Sequence, residues 1–137
     1  ISGSLILSEN ARINGVSGLS GLLAIGAGES GGSLEIYKNA ALKDLNGLEN
    51  IVEFTGTVHI HDNENLLCTY ALRNLTHITQ DLIVTNNPIL SWCEVEIIVD
   101  ALEEASGVDG EIISSGNLET EDCDLTPYHA EDIDSPI

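Results

Sequence analysis

His59 and His61 stand two residues apart in the stretch GTVHIHDN, and residues two apart on a strand share one face. Two imidazoles so placed could hold a metal ion through their ring nitrogens. The spacing sets no third ligand, so the pair reads as two exposed histidines and no metal is assigned. The acidic loops HDNEN (61–65) and ETEDCD (119–124) could hold calcium through carboxylate oxygens. They match neither an EF-hand nor a glycine-rich nonapeptide, and solvated loops are the better reading. No cofactor is assigned.

Three cysteines carry the remaining reactive chemistry. Cys93 and Cys123 bracket the last helix and strand, where a disulfide would staple one end of the chain. Such a bond stabilises by about 3 kcal/mol and implies an oxidising compartment; two free thiols are the alternative. Cys68 is then the odd one. It aligns with Gly15 and Asp44 of other copies of a repeat, a position expected to face outward. With Leu67 and Tyr70 it would form an apolar patch suited to an intermolecular contact. The competing reading is a distorted corner that tucks the three residues in.

Other motifs are few. Asn74-Leu75-Thr76 is a glycosylation sequon. The run GAGESGG (26–32) is not a phosphate loop, because no Lys-Ser/Thr follows it. No nucleophile motif stands out. The many acids include no two that the sequence pairs as a glycosidase would require. The expectation is a protein without enzymatic activity.

These residues lie on a repeated motif, Gly-x-apolar-x-apolar-x-x-Asn. It occurs as GSLILSEN, GSLEIYKN, GTVHIHDN, QDLIVTNN (with Gln80 in place of Gly) and GEIISSGN, ending at Asn10, Asn39, Asn63, Asn87 and Asn117. The Asn spacings are 29, 24, 24 and 30 residues, within the range of leucine-rich and related coils. Strand alternation places Leu5, Leu34, Val58, Leu82 and Ile112 in one inward row. Leu7, Ile36, Ile60, Val84 and Ser114 form the other. After each Asn, apolar residues recur at steps of three, as at Leu42, Leu45, Leu48, Ile51 and Phe54; in the third copy Thr69 is the exception. The terminal Asn residues are expected to form a ladder at a tight corner where left-handed backbone is tolerated.

The outward rows are then Ile6, Glu35, His59, Ile83, Ile113 and Ser8, Tyr37, His61, Thr85, Ser115. Tyr37, His59, His61, Glu35 and Thr85 are the candidate ligand-binding residues of this sheet face. Ser91-Trp92-Cys93-Glu94 reads as a capping box. Val95, Ile98, Leu102 and Ala105 mark one face of a helix over about 92–105 that would cover the end of the core. The other end, at Ile1 and Ser2, looks bare. Residues 124–137 form an acidic, proline-containing tail.

The chain has 137 residues, enough for one domain, with 42% hydrophobic but only 4% aromatic content. Its formal net charge of −19, from 23 acids against four Lys and Arg, excludes nucleic-acid binding by phosphate neutralisation and disfavours anionic membranes. No apolar run is long enough to insert in a membrane. The start at Ile1 reads as a processed or excised piece.

The GxLxIxxNxxL copies resemble the receptor L-domain, a relative of leucine-rich repeats with a right-handed β-helical core. NPILSWCEVEIIVDALEEASGVDGEIISSGN, with Cys123 beyond it, is similar to the C-terminal cap of secreted or surface microbial proteins of that type. The resemblance covers residues 1–123. It implies a mainly β fold, a right-handed β-solenoid of about five coils with a C-terminal capping helix. It also implies an extracellular or cell-surface location and a binding or structural role. The expected partners are further copies of the chain, associating end to end into a fibre, or another extracellular protein or glycan bound on the sheet face.

Overall fold

Residues 3–26 and 31–119 are described in the computed structural model. Each copy of the motif becomes a strand, because alternating β-branched and leucine residues bury one face and wet the other. In chain order the elements are β1 (Leu5–Ser8), β2 (Ala24–Ile25), β3 (Gly32–Tyr37), β4 (Glu53–Phe54), β5 (Gly56–His61), β6 (His77–Ile78), β7 (Leu82–Thr85), α1 (Trp92–Glu103), β8 (Gly107–Val108) and β9 (Ile112–Ser115). Short 3-10 turns lie at Ser17–Leu19 and Tyr70–Asn74.

The strands gather into two parallel sheets, β1-β3-β5-β7-β9 and β2-β4-β6-β8. In the larger sheet Leu5, Leu34, Val58, Leu82 and Ile112 are in register. The core is the layer between the sheets. Leu34, Ile36, Val58, Ile60 and Val84 are fully buried there, facing Leu42, Leu45, Leu48, Ile51, Leu72, Leu75 and Ile78.

This architecture corrects the expected right-handed β-solenoid. Among the described residues the five-stranded sheet is open, neither closed nor curled, and one helix stands beside it, an arrangement that fits a parallel-sheet or α/β domain. The strands of the second sheet are only two residues long. The step-three segments between them run largely as 3-10 turns and loops, so the second sheet is regular for only two residues per strand.

Two further expectations about the ends change. Helix α1 packs against the Tyr70–Asn74 turn and β8, burying Val95, Ile98 and Leu102. It leaves β9 uncovered: Ile112, in an inward row, is 44% exposed. The capping box is half realised. The Ser91 hydroxyl accepts from the Cys93 backbone N–H at 3.1 Å, while the Glu94 side chain turns into the core. Residues 124–137, and the start at Ile1 and Ser2, lie outside the described residues.

Candidate functional site

The outer face of the larger sheet brings together the residues singled out from the sequence. Glu35 is in register with His59, Tyr37 with His61, and His61 with Thr85. All five are partly exposed. The Tyr37 and His61 rings stack nearly parallel, with centroids 4.8 Å apart. The His59 and His61 rings stack at 4.1 Å. Stacking covers ring faces, so the row offers mainly ring edges, with the imidazole nitrogens and the tyrosine hydroxyl as hydrogen-bonding groups.

Asp62 fixes this row. His61 Nδ1 lies 2.6 Å from Asp62 Oδ2, and an ionised carboxylate can only accept, so Nδ1 donates. Burial, and then the neighbouring His61, lower the His59 pKa; Glu35 and Asp62 oppose them to a smaller extent. The balance favours the neutral imidazole at His59. Glu35 in turn accepts from the Ser33 hydroxyl at 2.9 Å. Among the described residues no group of three or more His, Cys, Asp or Glu is arranged to hold a metal ion.

The corner beyond this row is built by asparagines. Asn63 is fully buried. Its Oδ1 accepts from the Asn39 backbone N–H and Nδ2, and its own Nδ2 donates to the Ile36 carbonyl and to Asn87 Oδ1. The same pattern links Asn10 to Asn39 and Asn87 to Asn117. Left-handed backbone falls one residue earlier than the sequence suggested, at Glu9, Lys38, Asp62 and Asn86, with φ of 56–58°, and at Gly116. Outside the corner, Lys38, Ala40, Asp62, Glu64, Asn86 and Pro88 line an open groove of about 490 Å³. The acidic loop at 61–65 thus lies beside a lysine.

The apolar patch expected at Leu67, Cys68 and Tyr70 does not form. Leu67 is exposed, but Cys68 is 2% exposed and turned inward. Tyr70 is half-buried beneath the Arg73 guanidinium, 4.3 Å from its ring centroid. The thiol faces Glu94 of α1, and burial together with that carboxyl pushes its pKa up. Burial also raises Glu94, to about 7, against smaller opposing contributions from the Cys68 thiol and the Thr69 backbone amide. Glu94 had been read only as a helix cap. Its place opposite Cys68 had no signal in the sequence.

Cys93 is buried and disulfide-bonded; its expected partner Cys123 lies outside the described residues, as does most of the acidic loop at 119–124. Asn74 is exposed at the end of a 3-10 turn, its Nδ2 donating to the Glu49 carbonyl at 2.8 Å. No described helix is long and apolar enough to cross a membrane. No family model, curated protein or solved structure matches this chain.

Proposed function

We propose that this chain is a non-enzymatic structural or adhesive module of the extracellular or cell-surface space, presenting a rigid sheet and associating with further copies through its ends. The observation that carries this reading is the state of the sheet edges. β9 is exposed along all four residues, including Ile112 and Ile113, and β1 at the opposite edge exposes Ile6. Both are edge strands among the described residues, and edge strands bearing apolar side chains are templates for pairing with another chain. The net charge of −19 opposes contact between copies until salt screens it. Light scattering across a salt series tests the reading. Mass that rises with protein and salt concentration supports it, and a monomer throughout sinks it.

A second reading has its own observation, the Tyr37, His61 and His59 stack. A receptor-like module would use these ring edges, with Glu35 and Thr85, to bind a protein or glycan. Alanine at Tyr37, His59 and His61 together would then abolish ligand capture from a glycan or surface-protein array while leaving self-association intact. Undiminished capture by the triple variant would remove this reading.

A further inference from the structure

We propose that a second copy of this chain docks by parallel strand addition, its β1 pairing with β9 of the first, with the asparagine ladder setting the register across the junction. The inference rests on the end-association reading and gives it a geometry.

The two ends of the ladder are complementary. An interior asparagine such as Asn63 uses Oδ1 to accept from the preceding copy and Nδ2 to donate both forward and back to a strand carbonyl. Among the described residues Asn10 makes only the forward bonds, to Asn39 Oδ1. Among the described residues its Oδ1 accepts nothing, and one Nδ2 hydrogen has no partner. At the other end, the Asn117 backbone N–H donates to nothing among the described residues. Placing Asn10 of one copy after Asn117 of another supplies these partners. Asn117 N–H then donates to Asn10 Oδ1, and Asn10 Nδ2 donates to the Ser114 carbonyl, as Asn117 Nδ2 now donates to the Val84 carbonyl.

The strand groups agree with this register. Glu111 and Ser115 turn their carbonyls to β7, accepting from Leu82 and Asn86. By alternation the amide groups of Ile112 and Ser114 face away from β7, toward an added strand. Continuing the observed pairings sets Ile112 beside Leu5 and Ser114 beside Leu7. On the outer face Ile113, 39% exposed, then meets Ile6, 53% exposed.

Glycine at the head of the motif gives a third match. A Cβ on Gly32 would run into the Gly3 carbonyl, and one on Gly56 into the Gly32 carbonyl. A Cβ on Gly3 would meet nothing within 4 Å. In the docked pair Gly3 occupies the position that Gly32 and Gly56 hold within the chain, and that Gln80 fills in the fourth copy. The contact joins two different surfaces, so it repeats without closing unless the rotation makes a ring, and open filaments result.

The test compares wild type, Gly3→Leu and Ser114→Pro, all as residues 1–137. Sedimentation velocity at low and at ~0.5 M salt, where charge screening is short-ranged, reads the mass. Far-UV circular dichroism and urea midpoints report on the fold. The expected result is a wild type whose mass at least doubles with concentration at high salt, with both variants folded and monomeric. Should Gly3→Leu lose its native spectrum, Ser114→Pro decides, because its lost N–H faces away from β7. A wild type that assembles no better than it does at high dilution overturns the end-association reading itself. A wild type that assembles, accompanied by folded variants that assemble equally well, overturns the strand-addition geometry alone.

Discussion

Glu94→Gln should make the protein more stable, and the gain should depend on pH in one direction. The Glu94 carboxyl is fully buried, and its pKa is raised from 4.5 to about 7, chiefly by burial. The folded state therefore holds this proton more tightly than the unfolded state does. Below about pH 4.5 both states are protonated and the carboxyl costs nothing. Between 4.5 and about 7 the unfolded chain releases the proton and the folded chain retains it, so stability falls as pH rises. Above that range both are ionised and the cost is constant. At about 1.4 kcal/mol per pH unit, the gap amounts to about 3 kcal/mol at pH 8. Glutamine keeps the shape and cannot ionise. It also brings an amide N–H₂ near Thr69, whose buried hydroxyl has no partner among the described residues. Urea denaturation of wild type and variant at pH 4, 5, 6, 7 and 8 measures the difference directly. It should be near zero, or a small constant, at pH 4 and should grow to about 3 kcal/mol by pH 8. A difference that stays flat across the series would refute the reasoning, since the shared response of the other acids cancels between the two proteins.

Three further outcomes are expected. Asn63→Ala leaves the Asn39 backbone N–H buried without its partner and removes the side-chain bonds to the Ile36 carbonyl and to Asn87; it should lower stability by roughly 2–4 kcal/mol in urea denaturation, more than Asn10→Ala at the end of the ladder. Lys38→Gly relieves left-handed backbone at a residue with φ 56° and should raise stability by up to about 1 kcal/mol, read as a higher urea midpoint. The Cys68 thiol should resist a disulfide-exchange reagent in the native protein and react at once in denaturant, because it is buried and its pKa is raised; rapid native-state reaction would contradict the inward placement.

The inward and outward rows were legible in the sequence because strand alternation is a local rule that each copy obeys separately. His59, His61, Tyr37, Glu35 and Thr85 therefore came out on one face in register. The overall architecture was not legible in the same way. A recurring period specifies pairing register, whereas closure depends on how much regular strand lies between the copies, and here it is two residues at a time. Cys68 was misplaced for a related reason. Aligning it with Gly15 and Asp44 assumes equal surroundings, but only the later part of the chain has a helix packed against the Tyr70–Asn74 turn. That helix buries Cys68 and Thr69 together. The left-handed residue was misassigned by one position because the Asn side chain, rather than its backbone, makes the corner.

The identical 24-residue interval separating Asn39, Asn63 and Asn87 makes chain length an adjustable quantity. Excising or duplicating residues 40–63, which hold β4 and β5, would remove or add one strand in each sheet and leave the Tyr70–Asn74 turn in place against α1. Unequal recombination within such a gene would give proteins of graded width instead of broken ones. Stability should then climb in increments with each added interval, so that the reach of the surface and its resistance to unfolding increase together.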